Sequence, residues 1–373
     1  MSLDGKRLFS ESPEMGVLSF DASQKCTLIN AFWPYLNLSE DDFSEQQYEA
    51  LLESWEEMLQ ELYPYRNEFA TQEWNGMLGI IVRLDNGPDD DISDLMRHAR
   101  TNFLNTSEFA IACSIELAVR LQTGVNVRSG GLLMIPGQES SIEWPEYSSL
   151  KEAIDAGFDR HETLAQSEQY SLFDESFTVT GLKDRCRLKI VWTNSLTDHL
   201  KLLGPRGKRE LLIYKNKTSL LNHQQDRRKR YIPEDLLHET IRTLDLLFPI
   251  HDRHVLAFLE KEDVQMPIED PLKTPRATQL SEFSYWNNRL ARLLRLYDGP
   301  PEGRLQALLD TRDSAQFATL WVAVFGVTSL TILFGVLSTV YSAKQYHVAR
   351  DSYKLALAQA CHQTSPPLPG YCT

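Results

Sequence analysis

Cysteine is scarce in this chain. There are five in 373 residues (Cys26, Cys113, Cys186, Cys361 and Cys372), widely spaced and without a C-x-x-C pair. That pattern argues against a disulfide scaffold or a zinc knuckle, and Cys26, Cys113 and Cys186 read as small buried hydrophobes. Positive charge is also short. Thirty-eight Lys and Arg against 52 Asp and Glu leave a formal charge of −14, which sets the domain as a whole against nucleic acid or an anionic lipid surface. The opening stretch MSLDGKRLFSESPEMG holds no apolar h-region, so no signal peptide is expected. No Gly-x-Ser-x-Gly elbow is present, and GPRGKR (Gly204–Arg209) lacks the Lys-Ser/Thr ending of a phosphate loop and reads as a turn.

What the chain does have is one long apolar run. From Phe317 to Tyr341 it reads FATLWVAVFGVTSLTILFGVLSTVY, 25 residues without a charge. At about 1.5 Å rise per residue, a helix of that length crosses a hydrocarbon core of roughly 30 Å with some tilt. Trp321 lies near one end and Tyr341 and Tyr346 at the other, where amphipathic rings prefer the interface. Within the run, Gly326 and Gly335 reduce bulk, and Thr331, Gly335, Thr339 and Ala343 recur every four residues. That spacing offers a helix–helix face for self-association. With no signal peptide, the expected topology leaves the large N-terminal domain in the cytosol. The flanking charges, Arg304 and Arg312 against Lys344, Arg350 and Lys354, lean mildly the other way. Three sequons, at Asn37, Asn105 and Asn216, become usable only in that opposite orientation.

The rest has the composition of a folded chain, 42% hydrophobic and 24% charged. Its patterning predicts a mainly α domain with a small β element (α+β), followed by one transmembrane helix. Five segments are expected: 1–40, hard to type; a mixed soluble region, 41–225; a helical juxtamembrane region, 226–312; the span, 317–341; and a short tail, 342–373. Ser39 or Asp41 is positioned to cap an amphipathic helix through EQQYEALLESWEEMLQELY. A turn around DNGPDDDISD separates MLGIIVRL from a helix starting near Ser93, and Ser107–Gln122 forms the most apolar helix. GLLMI, SIEW, LKIVW and ELLIY read as strands, with a helix expected at SLTDHLKLL between the last two. NHQQDRRKRYIP reads as a loop, with Arg227–Arg230 as a solvated basic run. Helices are expected at EDLLHETIRTLDLLF, with Pro233 in its first turn, and at LSEFSYWNNRLARLLRLY.

Candidate chemistry is sparse. His238-Glu239 opens HETIR, but the position a zincin needs for its second histidine holds Arg242. His251 and His254 follow and read as polar surface. Ser195, Asp198 and His199 lie close together in WTNSLTDHL, yet Ser195 reads more naturally as a helix cap than as a nucleophile. Asp85, Asp89, Asp90, Asp91 and Asp94 crowd one loop without the frame of a calcium site. No catalytic residue, cofactor or metal ligand is expected. Arg289, Arg292 and Arg295 decorate one side of a helix ahead of the span and are placed to meet lipid headgroups.

The succession WTNSLTDHL, ELLIY, HETIRTLDLLFP, LSEFSYWNNRL, the prolines of GPPEGR and LTILFGVLSTVYSAKQ resembles a large group of fungal membrane proteins of unassigned activity. SIELAVRLQTGVNVRS and SIEWPEYSSLKEAI are similar to the same group, so the resemblance covers most of the chain. It implies a soluble domain followed by a C-terminal transmembrane segment. A looser likeness of that group to CorA-type magnesium transporters implies two spans and a Gly-Met-Asn ending, whereas this chain has one span and no such tripeptide. The leading expectation is a non-enzymatic single-pass protein whose cytosolic domain binds a protein partner in regulation or scaffolding. An accessory of a biosynthetic or transport pathway and a CorA-like ion-transport protein are the alternatives.

Overall fold

Helix-forming signals dominate the observed architecture. The computed structural model describes residues 3–129, 140–158, 171–226, 231–267, 276–299 and 314–363. The chain divides into two units, Met1–Pro300 and Pro301–Thr373. The first is mainly helical with two small sheets, and the second holds one long helix.

Helix α1 (Ala22–Phe32) starts at a capping box in which Asp21 accepts from the Gln24 backbone and Gln24 from that of Asp21. It lies in the N-terminal stretch that hydrophobic periodicity alone did not type. Helix α2 (Glu45–Leu62) buries Tyr48, Leu51, Leu52, Trp55, Met58 and Leu62, the face read from its spacing. Its cap position is Ser44 rather than Ser39 or Asp41, because Ser39 instead turns its hydroxyl onto Asp42. Helices α3 (Trp74–Asn86), α4 (Ile92–Asn102) and α5 (Glu108–Thr123) follow. Ser107 caps α5, which is buried from Ala110 to Thr123 and stops at Gly124 in the left-handed region, φ +68°. Trp55 ties α2 to it by donating Nε1–H to the Leu121 carbonyl, 3.0 Å. Around that indole, Phe32 (ring centroids 4.3 Å), Trp33 (6.2 Å) and Trp74 (6.3 Å) form the aromatic centre of the N-terminal half.

Strands β1 (Val127–Ser129) and β2 (Ile142–Trp144) pair in parallel, ahead of α6 (Leu150–Gly157) and α7 (Val179–Cys186). GLLMI lies outside the described residues, as do Arg227–Arg230 and SPPLPGYCT. A second sheet has the order β3-β5-β4: β3 (Lys189–Thr193) runs parallel to β5 (Glu210–Tyr214), and β4 (Leu202–Leu203) antiparallel to it. The helix expected at SLTDHLKLL is absent. Leu196–Asp198 makes one 3-10 turn, Leu200 takes φ +61°, and Leu202–Leu203 joins the sheet. A left-handed residue ends any right-handed helix, and this one sends both Leu196 and Leu200 into the core. GPRGKR is thus a turn between two strands, with Gly204 and Gly207 at φ +84° and +81°.

The remaining helices are α8 (Lys217–Gln225), α9 (Glu234–Leu247), α10 (Arg253–Lys261) and α11 (Asn287–Asp298). Helix α8 replaces the first part of the expected loop at NHQQDRRKRYIP. Pro233 stands at the cap of α9 rather than inside its first turn. Helix α11 begins later than its apolar pattern suggested, since Ser284–Trp286 is held in another conformation by Glu239. Buried residues from Leu3 to Tyr297 share one core, so the sequence boundaries near 40 and 225 divide no hydrophobic interior.

Candidate functional site

The clearest functional signature belongs to α12 (Ser314–Gln363), 50 residues long. Residues Trp321–Gln363 contain a stretch of mean hydropathy 2.0 with none of it buried, the one such helix among the described residues. Phe317 lies within α12, but its side chain is outside the described set. Trp321 stacks on Phe325, ring centroids 5.3 Å apart, and Tyr341 is 64% exposed. Three hydroxyls in the run are satisfied internally. Thr328, Thr331 and Thr339 donate to the carbonyls of Val324, Val327 and Gly335 at 2.7, 2.8 and 2.8 Å, which removes most of the cost of placing them in hydrocarbon. Thr331, Gly335, Thr339 and Ala343 form an exposed stripe, as their spacing required.

The helix does not stop where the apolar run does. Residues 342–363, SAKQYHVARDSYKLALAQACHQ, continue it, so the expected tail begins as helix. Ala, Lys, Leu and Gln are good helix formers, no Gly or Pro interrupts them before Pro366, and the apolar run supplies the nucleus that an isolated peptide would lack. Near the end, Cys361 is disulfide-bonded, whereas Cys26, Cys113 and Cys186 are not in disulfides. Cys26 and Cys113 are buried as expected and Cys186 only partly so.

The arginine stripe on α11 is corrected at one position. Arg292 and Arg295 are exposed, but Arg289 turns inward and donates to the carbonyls of Thr197 (2.9 Å) and His199. Burial lowers its pKa and nearby Asp198 opposes that shift. Arg289 therefore fastens α11 to the turn after β3 and leaves two arginines on the outer face.

That turn holds Ser195, Asp198 and His199, and their bonds are structural. Ser195 Oγ shares a hydrogen bond with Thr197 Oγ1 (2.7 Å) and accepts one from Asn126 (3.2 Å). His199 is fully buried: Nε2 meets Thr243 Oγ1 at 2.7 Å, and Nδ1 accepts from the Tyr214 N–H at 3.2 Å. Burial, followed by the Arg289 charge, lowers the imidazole pKa to about 3. Its neutral ring locks β5 to α9. Glu239, buried in α9, accepts from the backbone N–H of Ser284 (2.7 Å), Tyr285 (2.8 Å) and Trp286 (3.4 Å), while its partners in sequence, His238, His251 and His254, are exposed.

The aspartate-rich loop is a helix start with ion pairs. Asp91 caps α4 at the Asp94 N–H (2.8 Å), Asp90 pairs with Arg83, and Asp85 accepts from Gln122 at 2.9 Å. No group of three or more His, Cys, Asp or Glu stands at metal-holding spacing among the described residues. One cavity, about 790 Å³, is lined in part by Ser140, Glu143, Phe158, Lys201 and Arg289. Comparison with known protein families, curated proteins and solved structures finds no match.

Proposed function

We propose that this chain is a single-pass membrane-anchored protein whose N-terminal unit binds a protein partner in the cytosol, in a regulatory or scaffolding role. The observation that carries the anchoring is the exposed apolar surface of α12: charge-free helical surface of that length has a far lower free energy in lipid than in water. The hydroxyls of Thr328, Thr331 and Thr339 are bonded to carbonyls of the same helix, as a hydrocarbon environment favours.

Orientation is supported by sulfur chemistry. Disulfides persist in oxidising compartments and are reduced in the cytosol. A disulfide at Cys361 beyond the run, with buried, non-disulfide Cys26 and Cys113 before it, fits an N-terminal unit on the cytosolic side. The small excess of Lys344, Arg350 and Lys354 pulls the other way, but a bias of that size only weakly directs insertion. Ser195, His199 and Glu239 are buried and consumed in structural bonds, so none of the three is offered to a substrate.

The test uses the whole protein in native membranes. Alkaline carbonate should leave it in the pellet. A membrane-impermeant maleimide added to intact cells should label position 361 only after mild reduction, and should reach Cys186 only after permeabilisation. Release by carbonate would remove the anchoring claim, and N-glycans on Asn37 or Asn105 would reverse the orientation.

A further inference from the structure

We propose that the basic end of the three-stranded sheet docks on an anionic lipid surface, with the β4–β5 hairpin as its tip. Strand pairing gathers the patch. Lys189 of β3, Glu210 of β5 and Leu203 of β4 stand side by side on one rung, and the Lys189 N–H donates to the Arg209 carbonyl at 3.0 Å. Arg187 lies just before β3, and the turn Gly204–Arg209 closes the hairpin on the other side. Five cations, Arg187, Lys189, Arg206, Lys208 and Arg209, therefore meet at one end of the sheet, in a chain whose formal charge is −14. All are exposed except Arg209, which is half-buried. The carboxylate on that rung, Glu210, is bonded to Lys189, Nζ to Oε1 2.8 Å. The nearest acid in the chain before Arg187 is Asp184, in the last turn of α7.

Charge alone would describe an ordinary solvated turn, but the backbone is shaped to hold these residues outward. A Cβ on Gly204 would meet the Lys208 carbonyl oxygen at 2.5 Å, so the hairpin closes only with glycine at that position. The Lys208 N–H donates to the Pro205 carbonyl at 3.1 Å, which puts Arg206 at the corner of a tight turn and Gly207 at the third position, where a left-handed residue is required. Arg187 ends α7 at φ +51°, a conformation in which glycine or asparagine is the usual occupant. An arginine retained there at a conformational cost points to a use for its charge. At the tip, Leu203 is 47% exposed and Pro205 is exposed beside it. An apolar point thus stands among the cations.

That combination selects the partner. Near an anionic leaflet each Lys or Arg adds about fivefold in affinity, while an exposed leucine and proline gain only where hydrocarbon is within reach. A bilayer surface supplies both. Nucleic acid would engage the cations, but its bases stack on aromatic side chains, and none stands between Leu202 and Arg209. The acidic average of the chain opposes lipid contact for the domain as a whole, and this patch is where that average is locally reversed. The proposal rests on the anchored, cytosol-facing reading for its source of lipid, because the cytosolic leaflet is the anionic one.

The experiment seats the full chain in nanodiscs of neutral phosphatidylcholine, so that the anchor is already occupied. Co-sedimentation is then measured with sucrose-loaded vesicles of phosphatidylcholine, alone or with about one-third phosphatidylserine. At about 0.1 M salt the anionic vesicles should bind roughly tenfold or more tightly than the neutral ones, and the difference should vanish near about 1 M. Arg206→Ser and Lys208→Ser should each weaken anionic binding about fivefold. Leu203→Ser, on the exposed tip, should weaken it several-fold without changing its salt dependence. Equal binding to both vesicles, or anionic binding unchanged in the Arg206→Ser/Lys208→Ser double variant, overturns the proposal. So does tighter binding of the same discs to poly(U) RNA or to poly-glutamate, combined with indifference of vesicle binding to Leu203→Ser, which assigns the patch to a nucleic acid or an acidic protein. A chain that stays out of the discs refutes the anchor instead, and the same vesicle runs on that unanchored chain then decide the surface by themselves.

Discussion

His199 is kept neutral by burial, and that has a sign. The unfolded imidazole takes up a proton near 6.5, whereas in the fold it does so only near 3. Between those values the unfolded chain binds the extra proton, so stability is full above about pH 6.5 and is lost progressively as pH falls toward 3. His199→Ala leaves the Thr243 hydroxyl and the Tyr214 N–H without their partner and opens a cavity. It should cost about 2–4 kcal/mol at neutral pH and flatten the acid limb, with both effects read from urea midpoints at pH 7.5 and 4.5. His223 is also buried with a lowered pKa and contributes in the same direction, as does Glu282, whose carboxyl is pushed up by burial but held low on balance by hydrogen bonds from Arg242, Thr278 and Gln279. Glu239→Gln is the second residue-scale prediction. One oxygen replaces two, and an amide N–H₂ then faces backbone donors of Tyr285 and Trp286. A loss of about 2–3 kcal/mol is expected, measured by the same midpoints, whereas His238→Ala on the exposed side of α9 should change them little.

At the scale of elements, Leu333 sits in the middle of the apolar run of α12, so Leu333→Arg should move a large fraction of the protein into the carbonate supernatant. Leu333→Phe should leave it in the pellet. The run itself was legible from composition alone, and so were α2, α4, α5 and α9, where apolar residues recur with helical period over many turns. ELLIY emerged as β5 with the boundaries its sequence suggests. Weaker local patterns failed for physical reasons. SLTDHLKLL has helical spacing of apolar residues, but burial of His199 and the left-handed Leu200 turn the same residues into a 3-10 turn and an edge strand. Helix α8 has little apolar patterning because its buried face includes Lys217, Ser219, Asn222 and His223, of which Lys217 pairs with Asp245 at 2.6 Å and His223 meets the Gln122 carbonyl at 2.6 Å, partners that no local window contains. Helix α1 was readable only through Asp21 and Gln24, a capping signal rather than a periodic one. The basic end of the second sheet was half legible: GPRGKR stood out as a turn, while Arg187 and Lys189 reach it only through the parallel pairing of β3 with β5.

For the molecule as a whole, Met1–Pro300 contains its own core, so a chain ended after Gly299 should fold and remain in the aqueous phase of a Triton X-114 partition, with the full chain in the detergent phase. A truncated chain that aggregates would show that the core needs the second unit. Asn216 is 5% exposed and bonded to Ser54 at 2.7 Å, so among the three sequons it stays unmodified in the folded protein in either orientation. The length of α12 has a consequence of its own. Beyond Tyr341 the helix climbs roughly 30 Å more, about a second bilayer thickness. With the apolar run in a bilayer, as proposed, the extension would act as a ruler that sets the distance between the lipid surface and Cys361 near its tip. Inserting or deleting whole turns would reset that height in steps of about 5.4 Å while keeping the same face of the rod forward.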